Sequence, residues 1–203
     1  MFCSGADFAA VSGAGGVEFV PAFERMLESL ARFRLPTVAA ITGAALGGGF
    51  QLACVCDFRI AANDAKIGIP SARLGIMVNL ENIQRLVLLA GIARAKEVLM
   101  TARTYSGAEA AGAGFVTRAV PSEDVLSDAH SMATELSLRA PLSVQGAKRA
   151  IQTLADHLSG ARRGAPDATA EIDRLVTEAY NSRDLQEGIA AMSEKRDPNF
   201  EGI

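Results

Sequence analysis

The chain has 203 residues, of which 49% are hydrophobic and 21% charged, with a formal net charge of −3. That supplies the core of one ordinary domain, or of a domain with a small appendage, and is too apolar for a disordered chain. The negative balance argues against an electrostatic nucleic-acid binder, and 5% aromatic content without tryptophan argues against a base-stacking surface.

Three cysteines, Cys3, Cys54 and Cys56, are an odd set and read as free thiols of a reducing compartment. Cys54 and Cys56 stand closer together than zinc ligands usually do, and only His130 and His157 are available to complete a site, so no metal is expected. No apolar run reaches the length of a membrane span, and Met1-Phe2-Cys3-Ser4 lacks the basic start of a signal peptide. A cytoplasmic protein without a membrane partner is the expectation.

Residues 1–3 read as the tail of a strand entering the turn Ser4-Gly5-Ala6-Asp7, and residues 9–16 as a mobile loop. Phe23, Met26, Leu27, Leu30 and Phe33 fall at helical spacing and predict a helix over 20–33, ended by Pro36. Residues 37–42 are short, apolar and partly β-branched, which predicts a buried strand. A glycine-rich turn, Gly43 to Gly49, leads into a buried helix over 50–56. Strands follow at 57–62 and 66–69. Strand, turn, helix and strand form a βαβ unit with a parallel pair.

From Asn79 the pattern turns helical, with Leu80, Ile83, Leu86, Val87 and Ala90 on one face. Ser106-Gly107-Ala108-Glu109 is a capping box. The short helix it opens ends at Gly112 and Gly114, before a strand over 115–120. Helices are predicted near 122–139, 142–157, 167–181 and 184–195, with Pro141 and Pro166 at helix starts.

The turn Gly43-Ala44-Ala45-Leu46-Gly47-Gly48-Gly49 fits neither a P-loop nor G-x-G-x-x-G. Its N–H groups, at a helix start, can still face an anion; small residues there also simply allow close packing. Together with Ser4-Gly5-Ala6-Asp7 it offers two backbone donors, as the enolate oxygen of a thioester requires.

Several segments carry a resemblance together. They are Phe2 to Phe8, Leu35 to Gly49, Asp57-Phe58-Arg59-Ile60-Ala61, Gln84-Arg85-Leu86, Ser106 to Ala110 with Gly114-Phe115-Val116, and Lys195-Arg196-Asp197-Pro198-Asn199-Phe200. In this order they resemble the enoyl-CoA hydratase/isomerase (crotonase) superfamily across essentially the whole chain. The resemblance implies an α/β fold, a spiral of ββα units over 1–120 and a C-terminal helical region over 121–203 that trimerises. It implies an acyl-CoA thioester as substrate, coenzyme A being part of that substrate and no separate cofactor, and a homotrimer or hexamer. It places the thioester oxygen between the N–H groups of Ala6 and Gly48, with Ser4, Asp7, Gly47 and Pro70 around them. It further implies contacts to coenzyme A from Tyr180 and Phe200, and from Lys195 and Arg196 to its phosphates. As plain residues, the first two read as packing and the last two as a solvated basic pair.

The chain departs from the family pattern in two ways. Relatives carry opening strands and a helix before the segment matching Phe2, and losing them would expose strand edges. Hydratases of the family use two glutamates to activate water. Gln51 and Ser71 occupy those positions, and Asn79 occupies a third where isomerases place a carboxylate. Neither an amide nor a hydroxyl accepts a proton at neutral pH as a carboxylate does. The nearest remaining acid, Glu81, reads either as a displaced acid/base or as a carboxylate favoured at a helix start capped by Asn79. Ser71 as a nucleophile would need a histidine beside it. The readings left open are a lyase or isomerase, an acyl-CoA binder without catalysis, and an inactive gene fragment.

Overall fold

The computed structural model describes residues 1–7, 15–159 and 168–203. The predicted loop over 9–16 lies largely outside these residues, and Pro166 lies wholly outside them. Elements follow as α1 (Gly15–Ala31), β1 (Val38–Ile41), β2 (Ala45–Leu46), α2 (Gly48–Val55), β3 (Phe58–Ala62) and β4 (Lys66–Gly68). A 3-10 turn (Pro70–Leu74) precedes α3 (Leu80–Thr101), β5 (Thr104–Ser106), α4 (Gly107–Gly112) and β6 (Arg118–Val120). A second 3-10 turn (Ser122–Asp124) leads to α5 (Val125–Ser137), α6 (Pro141–Ser159), α7 (Ala168–Tyr180) and α8 (Arg183–Glu194). Two compact units result: residues 1–33 with 37–130, and residues 34–36 with 131–203.

The first unit repeats a ββα pattern. β1, β2 and α2 make one repeat; β3, β4 and α3 make the next. Each repeat gives one strand to each of two sheets, ordered β1-β3-β6 and β2-β4-β5. β1 pairs with β3 in parallel, Val38 opposite Phe58, and β3 pairs with β6 in parallel. β2 pairs with β4 in parallel, whereas β4 and β5 are antiparallel. Sequence periodicity predicts the β1–β3 pair because both strands are apolar runs whose side chains are largely buried. Thr37 donates its N–H (2.7 Å) and hydroxyl (2.9 Å) to the Asp57 carboxylate, tying the starts of the two strands together. Fully buried Phe50 and Phe115 meet edge to face at 5.7 Å, and Tyr105 meets Phe115 at 5.0 Å.

Several boundaries differ from the sequence expectation. The tail of a strand at 1–3 is a single parallel bridge, Cys3 to Ala45. α1 spans 15–31, earlier than the periodicity of Phe23 to Phe33 indicates, and ends before Pro36 because a residue preceding proline disfavours the helical region. β2 lies inside the glycine-rich turn and β5 precedes the capping box. Both are two- or three-residue strands, too short for a period-two pattern to register. The strand expected over 115–120 is confined to 118–120, since Phe115 and Val116 turn inward beneath Ala110, to which both donate. The helix from Asn79 is longer than one amphipathic stretch suggests: α3 runs on through a break at Gly91 (φ 79°). The capping box is present in both directions, Ser106 Oγ accepting from the N–H of Glu109 and Glu109 accepting from the N–H of Ser106.

The second unit consists of helices and a C-terminal strap. Arg149 and Thr153 on α6 both donate to Glu171 on α7, at 2.6 and 3.1 Å. The buried Asp184 carboxylate on α8 accepts from the N–H groups of Glu201 and Gly202 and binds the chain end to that helix.

Candidate functional site

The sequence places two small-residue turns far apart, and the fold sets them side by side. The Cys3 N–H donates to Ala44 O (2.8 Å) and Leu46 N–H to Cys3 O (3.0 Å), so the first residues run alongside β2. The chain then turns at Gly5, whose φ of 104° suits glycine. A Cβ on Gly5 would stand 2.9 Å from Leu46 O and 3.4 Å from Gly48 N. The Gly5–Ala6 backbone therefore abuts the start of α2. Gly47 donates to Gly68 O, and Gly48 is the first residue of α2, where an N–H has no partner within its own helix. The aligned peptides of α2 add positive potential at this point. Two backbone donors beside a helix start can bind one developing oxyanion.

Two residues that sequence reasoning left unassigned hold this arrangement. Gly49 lies on the Cys3 carbonyl, with no room for a side chain. Arg59, buried in β3, reaches under the far end of α2 and donates to Ala53 O (3.3 Å), Cys56 O (2.5 Å) and Phe115 O (3.0 Å). Burial lowers its basicity. A lone arginine within an otherwise apolar strand was the available signal. Cys54, on the same helix, has its thiol pushed up to about 12 by burial, which favours its protonated form.

The residues that the resemblance sets at acid/base positions lie as follows. Gln51 sits half-buried in the first turn of α2. Ser71 follows Pro70 in the first 3-10 turn, where its carbonyl accepts from the N–H groups of Gly75 and Ile76. Ser71 also lines a cavity of about 460 Å³ whose remaining wall is mostly apolar, including Met77, Val78, Ile83, Val87 and Leu99. Asn79 caps α3: its Oδ1 accepts from Asn82 N–H (3.2 Å) and Asn82 Nδ2 (2.8 Å). Glu81 is exposed in the first turn of that helix, as a dipole-favoured carboxylate would be. Ser4 and Asp7 are exposed at the rim of the first turn. His130 Nδ1 lies 2.8 Å from Leu126 O in its own helix, and His157 is exposed on α6.

A half-buried polar cluster escaped the sequence reading. Asn82 Nδ2 donates to Glu24 Oε1 (2.5 Å), and Arg85 donates to Glu24 Oε2 (3.0 Å) and Asn82 Oδ1 (2.9 Å). Arg85 also reaches Glu28, which pairs with Arg32. Glu24 and Glu28 one turn apart on α1 were the readable signal.

In the second unit, Tyr180 is 73% exposed and Lys195 closes α8 in a left-handed cap. Arg196 is committed: it grips Glu187 through two bonds, 2.6 and 2.9 Å, and also pairs with Glu194. With Asn199 N–H donating as well, these bonds hold the Glu187 carboxyl at about 2, against an ordinary 4.5. The contribution to stability is complete above pH 4.5 and disappears as pH falls towards 2. Acid unfolding monitored by circular dichroism should therefore begin at higher pH, and slope less between those values, in Glu187→Gln. An unchanged acid limb would show that the clasp contributes nothing.

The enoyl-CoA hydratase/isomerase family profile matches residues 1–203, and the chain belongs to that family. A probable enoyl-CoA hydratase of Mycobacterium tuberculosis is 36% identical over 200 residues, covering 98% of this chain and 76% of that protein. An enoyl-CoA isomerase/hydratase of Mycosarcoma maydis is 36% identical over 205 residues, covering 99% and 73%. The solved enoyl-CoA hydratase of Bacillus anthracis superposes with a TM-score of 0.85 at 33% identity, covering 100% of this chain and 77% of that one. An enoyl-CoA hydratase/carnithine racemase from Magnetospirillum magneticum gives 0.88 at 27%, covering 100% and 74%. The fold is the crotonase-like one that the motifs imply.

Proposed function

We propose that the protein binds acyl-CoA thioesters and polarises their carbonyl between the N–H groups of Ala6 and Gly48. The observation that carries this reading is the contact of the Gly5 backbone with the start of α2, 3.4 Å from a Gly5 Cβ to Gly48 N. Each such donor is worth roughly 3–4 kcal/mol to a developing oxyanion. Gln51 and Ser71 provide no carboxylate to activate water, so hydration of a conjugated enoyl thioester is expected to be slow. This favours enolate chemistry without added water, or binding alone, over ordinary hydratase activity. No helix among the described residues is long and apolar enough to cross a membrane. Three free thiols fit a cytoplasmic setting. We infer a homotrimer or hexamer, supported by apolar side chains exposed on the C-terminal helices, among them Ile151, Leu158, Ile189 and Met192.

Thermal unfolding of the protein with and without crotonyl-CoA tests the reading. A hundredfold excess over Kd should stabilise the fold by about 2.7 kcal/mol, with the enoyl ultraviolet absorbance preserved. Rapid loss of that absorbance would overturn the assignment of Gln51 and Ser71. No stabilisation would remove the thioester site. Light scattering on the same sample reads the assembly, and a monomer would refute it.

A further inference from the structure

The cavity beside Ser71 carries one charge that the thioester reading leaves unused. Its wall comes from two segments that meet at Gly68. The Gly68 carbonyl accepts from Gly47 N–H (2.9 Å), next to the donor Gly48, and Gly68 pairs with Thr104 on β5. The chain leaving Gly68 brings Ser71, and α3, which runs up to β5, brings Ile83, Val87, Lys96 and Leu99. α3 breaks at Gly91, so residues from both of its halves line one space. That space, about 460 Å³, falls in the range of small-molecule sites. Only Ser71 and Lys96 have polar side chains in this wall. Lys96 is exposed, and its helical neighbours three and four residues away are Ile92, Ala93, Leu99 and Met100, so no carboxylate shares its face of α3. Adjacent Glu97 is committed to Arg94 and Arg103. No carboxylate among the described residues pairs with the Lys96 ammonium. A lysine in such a place keeps its methylenes on the apolar surface and its charge at the rim. The group that complements it, at the end of an apolar chain, is a carboxylate.

We propose that this cavity receives the acyl part of a dicarboxylic thioester of coenzyme A, with Lys96 as the specificity-determining residue that pairs with the free carboxylate; the inference rests on the thioester reading above. One carboxyl of the diacid is joined to coenzyme A, and its carbonyl lies at Ala6 and Gly48. The methylenes follow the apolar wall past Ser71 and Val87, and the other carboxylate meets the ammonium. A monocarboxylic chain of equal length fills the same space but leaves Lys96 to water. The pairing is ionic and involves no covalent step.

The test measures calorimetric binding of matched thioesters, adipyl- against hexanoyl-CoA and suberyl- against octanoyl-CoA, to the full chain and to Lys96→Met, Lys96→Arg and Val87→Phe. Wild type should bind at least one diacid thioester roughly tenfold more tightly than its monoacid partner, as one charge-assisted bond provides. Lys96→Met should bind the monoacid thioesters as wild type does and lose the preference, and Lys96→Arg should keep it. Val87→Phe, which fills the cavity, should weaken all four. No preference in wild type overturns the proposal, as does a preference that survives in Lys96→Met. Unaltered binding by Val87→Phe sets the acyl chain outside the cavity and overturns it too. If Val87→Phe does not fold, the two Lys96 variants, which change an exposed side chain, decide the matter. Free octanoate that binds as tightly as the thioesters, and is lost in Lys96→Met, would assign the ammonium to an unesterified fatty acid and overturn the thioester orientation. Failure of wild type to bind any of the four thioesters removes the thioester site itself and this assignment with it.

Discussion

Gly49→Ala should destabilise the protein by about 3 kcal/mol and abolish its stabilisation by acyl-CoA. A Cβ at this position would fall 2.0 Å from Cys3 O and 2.6 Å from Cys3 C, both backbone atoms. Nothing flexible stands in the way that could rotate aside. Either α2 shifts or the strand through Cys3 does, and each movement separates Ala6 from Gly48. Gly112→Ala is the control, because a Cβ there meets nothing within 4 Å. Chemical denaturation of both variants decides the matter. A Gly49→Ala protein as stable as wild type would mean that the two turns are not in contact in solution.

Arg59→Leu should cost about 3 kcal/mol in the same measurement. Replacing a buried ion pair by apolar residues is often neutral, because both charges leave together. Arg59 differs in that its partners here are backbone carbonyls of Ala53, Cys56 and Phe115, which remain after the guanidinium is removed. Ala53 O keeps the Cys56 N–H, but an acceptor left buried without a donor costs about 1–3 kcal/mol. Leucine can fill part of the volume but cannot donate. Arg59→Lys should recover only part of the loss, since one ammonium cannot span the carbonyls that a planar guanidinium reaches. Because the far end of the same helix contributes Gly48, weaker acyl-CoA binding should accompany the lost stability. Wild-type stability in Arg59→Leu would show that solvent satisfies those carbonyls.

Both variants concern residues whose contacts reach far along the chain, Gly49 to Cys3 and Arg59 to Phe115. Composition and periodicity by themselves determined the parallel pair of β1 and β3, the capping box at Ser106, the cap at Asn79 and most C-terminal helices. These depend on a few neighbouring residues, and the chemistry of each cap is complete within four positions. The ordered small-residue motifs also determined the family; Ala6 and Gly48 follow only from what that resemblance implies. The tertiary structure decided what long-range packing controls. β2 and β5 are too short to form without partners and exist only because β4 lies between them. Glu24, Asn82 and Arg85 meet across 58 and 61 residues of chain, and no local pattern records such a meeting. The resemblance implies a phosphate contact for Arg196, whereas its pairing with Glu187 is visible only in the folded unit. Short-range hydrogen bonding is written in the order of the residues, whereas the partner of a charged side chain is fixed by how the helices pack.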